Sequence, residues 1–194
     1  MLLVGLLILL LAGGTYLYNA WTAGDGSAAG LELMDAPAVG EGGGMQEDGR
    51  TAAPDFSMVD AEGNKIQLTD FVGKPAVLNF WASWCAPCRV EMPAFENAYS
   101  VYGDRIHFLM VNMTDGRRET LKLAQDYLTE QGHTFPAYFD QEGSAAIPYS
   151  ITAIPATYFI DAEGYLVAGK KGTISEHQLL GGIELLLPEP GEDA

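Results

Sequence analysis

Residues 75–93 read PAVLNFWASWCAPCRVEMP. The opening PAVLNFWAS is an apolar run rich in β-formers and reads as a buried strand. RVEMPAFENAYSVYG, after the second cysteine, reads as a helix that Pro93 should kink. Cys85-Ala86-Pro87-Cys88 therefore falls where a strand gives way to a helix. Free N–H groups and the helix dipole at such a point stabilise negative charge, which favours the Cys85 thiolate. The thiolate is the attacking species in disulfide exchange. Cys88 lies a turn further in, is expected to be the more buried of the two, and would resolve a mixed disulfide formed by Cys85. Pro87 suits the first helical turn, where an N–H would be free in any case.

Other uses of the pair are weaker. Cys85 and Cys88 are the only cysteines, which excludes a disulfide-rich scaffold and a four-cysteine zinc site. Half a zinc site would need two more ligands, and His107, His133 and His177 are scattered. A purely structural disulfide across so short a loop would constrain little chain entropy.

Outward from this stretch the chain alternates strands and helices. DFSMVDAEGNKIQLTDF reads as a hairpin turning at Glu62-Gly63-Asn64. IHFLMVNM is a second buried strand, and ETLKLAQDYLTEQG an amphipathic helix with Leu121, Ala124 and Leu128 on one face and Gly132 at its end. FPAYFD is a third strand, and a short helix is expected near SAAIPYS. ATYFID and YLVAGKK make a last hairpin around Glu163-Gly164. SEHQLLGGIELLL is the final helix, with a Ser175–Gln178 capping box and Leu179, Leu180, Ile183 and Leu187 facing inward. The pattern gives a mixed α/β sandwich.

Of the 194 residues, 48% are hydrophobic and 19% charged, which suits one globular domain with something added. The addition is N-terminal. Residues 1–21 carry no charge and match the roughly 20 apolar residues that span a bilayer, with Tyr16, Tyr18 and Trp21 at the far end. An uncleaved transmembrane signal anchor fits best; a cleaved secretory signal is the alternative, with Ala12-Gly13-Gly14 as a weak cleavage site. Residues 22–50 are rich in Gly and acids and read as a flexible linker. The globular domain is expected over 51–190, followed by a tail at 191–194. The formal charge of −16 argues against nucleic acid and against adsorption to anionic lipid, so membrane association must come from the apolar segment.

NFWASWCAPCRVEMP resembles the active-site stretch of thioredoxins, closest to the membrane-tethered, extracytoplasmic TlpA-like and ResA-like branch. Downstream, ITAIPATYFID resembles the segment that carries a cis-proline opposite the cysteines. The resemblance covers roughly residues 50–188. It implies an α/β thioredoxin-like fold with an N-terminal β-hairpin and a strand–helix insert between Met113 and Ile147. It also implies a cis Ile154–Pro155 bond against the cysteine pair, and backbone groups of Ile154 offered to a bound polypeptide. Two positions depart from thioredoxin: its buried Asp is here Asn79, and its neighbouring Lys is here Met110. The usual proton acceptor is thus absent. Glu91, three residues after Cys88, occupies a place where a Glu in the ResA-like branch tunes the cysteines, although a solvated helix-face carboxylate is the other reading.

Cys85, Cys88 and Glu91 are accordingly the candidate catalytic residues, and Trp84, Pro87, Ile154 and Pro155 the candidate substrate-binding residues. Trp81 reads as core. Arg89 is placed either to favour the thiolate or simply to face solvent, and Lys170-Lys171 as a solvated strand end. The expected function is extracytoplasmic thiol–disulfide exchange, with reduction of protein disulfides through Cys85 and Cys88 as the expected direction. By resemblance the substrate is an apocytochrome c; an extracytoplasmic reductant would also need electrons from a membrane thiol carrier or another redox partner. No metal or organic cofactor is implied. Two rivals are a peroxidase of the related redoxin class and a non-enzymatic tethered peptide-binding module. The cysteine motif leaves open whether the protein reduces or oxidises its partner.

Overall fold

A computed structural model describes residues 31–33 and 49–187. The expected anchor, most of the expected linker and the C-terminal tail lie outside the described residues. Among the described residues, no helix is long and apolar enough to cross a membrane.

The strands are β1 (Glu32–Leu33), β2 (Thr51–Ala52), β3 (Ser57–Val59), β4 (Lys65–Gln67), β5 (Ala76–Trp81), β6 (His107–Asn112), β7 (Ala137–Phe139), β8 (Ala156–Ile160) and β9 (Tyr165–Lys171). The helices are α1 (Ala86–Tyr102), α2 (Leu121–Gln131) and α3 (Glu176–Glu184). One sheet runs in the order β1-β9-β8-β5-β6-β7-β3-β4, with β2 also on β9. β5 lies parallel to β6 and antiparallel to β8, and all six of its residues are buried.

Both faces of the sheet are covered, and the period of two along each strand decides which side chain meets which core. Val77 and Trp81 join Phe108, Met110 and Phe159 in the core beneath α1 and α3. Ala76, Leu78 and Phe80 point the other way, against Phe56, Tyr149 and Tyr158. The β3–β4 hairpin turns as expected, with Gly63 at φ +86° and the Asp60 carboxylate accepting the N–H groups of Glu62 and Asn64. α2 and β7 form the insert, and β7 joins the hairpin to the central sheet by pairing with both β6 and β3.

Helix ends follow their local chemistry. The Thr120 side chain caps α2, and Gly132 ends it in the left-handed conformation at φ +73°. Ser175 and Gln178 form the capping box of α3. α1 runs through Pro93 without interruption.

Three local expectations change. Residues 144–150 form consecutive turns, not a helix. Tyr149 N–H reaches the Ala145 carbonyl and Ile151 N–H reaches that of Ala146, but Pro148 has no N–H to extend the ladder and Ser150 turns to φ +49°. In α3, Leu179 and Ile183 are buried with Gly181 and Gly182 between them, while Leu180 and Leu187 are only half-buried. The helix ends at Glu184, before Leu187 can share its face. Within the stretch expected to be a linker, Leu31 packs on the main core and Glu32–Leu33 pair with Gly169 and Ala168 of β9.

Candidate active site

Cys85 is the N-cap of α1, and Cys88 sits in its first turn. The two form a disulfide with Cα atoms 5.3 Å apart. The Cys88 N–H donates to Cys85 Sγ at 3.2 Å, so a first-turn helix N–H points at the sulfur expected to attack. Cys85 is 3% exposed and Cys88 0%, which orders them as expected but leaves little of either sulfur open. The surface at the pair is made by its neighbours: Trp84, Ala86 and Pro87 are exposed.

The Ile154–Pro155 peptide is cis. It leads into β8 and puts the Ile154 carbonyl oxygen 3.7 Å from Cys85 Sγ. Pro155 is buried, and its own carbonyl accepts the N–H of Gly172. Ile154 is half-buried. The fold thus brings Cys85, Cys88, Ile154 and Pro155 together, with Trp84 and Pro87 beside them.

Glu91 is not on a solvated face. It is 3% exposed, one turn beyond Cys88 on the inner side of α1. Asn79 Nδ2 donates to its Oε1 at 2.9 Å, and the Ile174 N–H donates to its Oε2 at 2.9 Å. Asn79 Nδ2 also donates to Thr157 Oγ1 at 3.0 Å. Met110, Asn79 and Thr157 lie in register across β6, β5 and β8. Burial pushes the Glu91 carboxyl up to about 7 against the opposing pull of its two hydrogen bonds. The departure at Asn79 fits the burial of Glu91. An aspartate at position 79 would set two carboxyls face to face, whereas an asparagine offers Glu91 a donor.

Of the remaining expectations, Trp81 is fully buried beside Tyr127. Arg89 leaves α1 toward the Tyr127 ring, with its guanidinium carbon 5.5 Å from the ring centroid. Lys170 is half-buried and Lys171 exposed at the end of β9. The histidines stay apart: His107 rests edge-on to Phe71, His133 stacks on Phe135 near Glu96, and His177 is exposed.

A second buried carboxylate escapes the sequence. Glu119 is 0% exposed. Its Oε1 accepts the Ser83 N–H at 2.8 Å and Asn112 Nδ2 at 2.6 Å, and its Oε2 accepts the Ser83 hydroxyl at 2.7 Å. It thereby ties the corner before Trp84 to the end of β6. Beside it, Arg118 lays its guanidinium over the Trp84 ring, 3.6 Å from the centroid. In the sequence both are merely two of the four charges in DGRRE, residues 115–119, and no spacing singles them out.

The AhpC/TSA family matches residues 50–168. The chain is 32% identical to thioredoxin-like protein YneN of Bacillus subtilis over 177 residues, covering 91% of this chain and 93% of that one. It is 30% identical to thiol-disulfide oxidoreductase ResA of the same organism over 188 residues, covering 96% and 91%. The crystal structure of StoA from Bacillus subtilis aligns with a TM-score of 0.59 at 27% identity, over 68% of this chain and 97% of that one. Fold, cysteine pair and relatives agree, and the chain belongs to the AhpC/TSA family as a thiol–disulfide oxidoreductase of thioredoxin-like fold.

Proposed function

We propose that the protein reduces disulfides of partner proteins on the extracytoplasmic side of the cell membrane, held there by residues 1–21. The Cys85 thiolate attacks one sulfur of the partner disulfide and expels the other as a thiolate. The Cys88 thiol then gives up its proton, with the Glu91 carboxylate as acceptor. The Cys88 thiolate attacks Cys85 Sγ, which closes the Cys85–Cys88 disulfide and frees the second partner thiolate. Two electrons pass to the partner, and a membrane thiol carrier restores the dithiol. Trp84 and Pro87 bear on the partner chain, while Ile154 and Pro155 hold it opposite Cys85. The likeness to relatives named ResA supports an apocytochrome c as the partner, since its cysteines must be reduced before haem is attached.

The observation that carries the reductive direction is the group buried behind the cysteines: Glu91, hydrogen-bonded by Asn79 and Ile174. Strong oxidants of this chemistry stabilise their reduced form. A carboxyl near its titration point behind the pair works against a thiolate there, which favours the disulfide and makes the dithiol the better donor. The test is the reduction potential of the Cys85–Cys88 couple in thiol buffers. A value at or below roughly −220 mV is expected, and one near −120 mV would make the protein an oxidant.

A further inference from the structure

We propose that Arg118 is a specificity-determining residue that selects partner segments carrying a carboxylate beside the reacting cysteine. The inference rests on the exchange reading above and names what the site prefers. Trp84 immediately precedes Cys85 and is 40% exposed, so its ring is part of the surface that meets a chain docked at Cys85. Arg118 already lies on that ring, 3.6 Å from the centroid, and the residue is exposed, which leaves an N–H edge for a docking chain to meet. A planar guanidinium held this way has lost much of its rotamer freedom before a partner arrives, and its fork matches a carboxylate.

The surrounding loop keeps that edge available. The sequence brackets Arg117 and Arg118 between two acids in DGRRE, but the structure turns those acids away. Glu119 turns inward, and its oxygens are taken by Ser83 and Asn112. Asp115 turns back on its own backbone, accepting the N–H groups of Arg117 and Glu119. Among the described residues no carboxylate pairs with the Arg118 side chain. Glu119 is the positioning residue: it pins Ser83 on one side and carries Arg118 on the other, so loop and ring are set together. The preference runs against the whole molecule. A chain of formal charge −16 repels an acidic segment at long range, so attraction at Trp84 can come only from a local cation. With a Debye length of about 8 Å at physiological salt, local pairing outweighs the distant field.

The test uses the full chain in detergent, reduced, with three disulfide-linked fluorogenic peptides that differ only in Glu, Gln or Lys beside the cystine. At about 0.15 M salt, the single-turnover second-order rate constant for the Glu peptide should exceed that for the Lys peptide about twofold to fivefold, the discrimination an exposed ion pair supplies. Arg118→Glu should invert the order so that the Lys peptide becomes the faster. Inversion is a gain that a misfolded variant cannot show, and Arg118→Gln should erase the order without inverting it. Equal rates for the three peptides in the natural protein, or a Glu preference that survives Arg118→Glu, would overturn the proposal while leaving disulfide exchange intact. No exchange with any peptide would overturn both readings.

Discussion

Glu91 accepts two hydrogen bonds, yet its carboxyl titrates near 7, because burial outweighs both donors. In an unfolded chain the same group would titrate near 4.5. Between these values the unfolded chain has released the proton and the folded one has kept it. The contribution of this group to stability is therefore complete below about pH 4.5 and is lost as pH rises through about 7, a decline of about 3 kcal/mol at 1.36 kcal/mol per unit. Glu91→Gln should flatten that decline, as read from urea midpoints of the oxidised protein across pH 4 to 8. A glutamine can be accommodated by flipping the Asn79 amide, which turns its carbonyl toward the new N–H and lets Thr157 donate instead. The same variant should also shift the pH dependence of thiol alkylation in the reduced protein. An unchanged alkylation profile would remove Glu91 from the exchange mechanism and leave it a structural acid.

At the scale of elements, α3 shows how packing overrides propensity. Glycine in a helix interior costs about 1 kcal/mol relative to alanine, so Gly182→Ala should stabilise an isolated helix. In the protein, a Cβ at Gly182 would lie 2.1 Å from Cζ of Phe159, a fully buried ring on β8. Overpacking of this kind typically costs 1–3 kcal/mol, so Gly182→Ala is expected to destabilise the domain by about that much, a loss readable in thermal melts. The position matters to the site as well. α3 follows directly on Ile174, whose N–H holds Glu91, so a helix pushed off the sheet should also disturb the alkylation profile.

For the whole molecule, redox state and folding stability are linked. If the couple is reducing, the disulfide form is the more stable of the two folded forms, whereas a strong oxidant shows the reverse order. The oxidised protein should therefore unfold at a higher denaturant midpoint than the dithiol form. The opposite order would contradict the reductive assignment independently of any potential measurement. Burial of Cys85 and Cys88 in the core beneath α1 and α3 makes this coupling direct, since the pair belongs to the same buried cluster as Phe95, Leu179 and Ile183.

Much of this architecture is legible in the residues alone. The apolar run of β5, the Cys-Ala-Pro-Cys step into α1, the two hairpins at Gly63 and Gly164, and the caps at Thr120 and Ser175 all follow from periodicity and turn chemistry over a few neighbouring positions. The cis bond at Pro155 and a tuning role for Glu91 rest on family likeness, whereas the nearness of Glu91 to Cys88 follows from their three-residue spacing on a helix. What the sequence alone leaves undecided is which polar groups meet. Glu91 and Ile174 are 83 residues apart, Ser83 and Glu119 36. Whether a carboxylate is a solvated charge, a buried proton acceptor or a loop anchor depends on the donors that the sheet and helices bring within 3 Å, and the sequence pattern around Glu91 and Glu119 is the same as that of any surface acid. Local chemistry dictated the elements and the cysteine motif. Only tertiary folding decided the environment of the cysteines, because hydrogen bonding and desolvation act over a few ångströms in space between residues far apart in the chain.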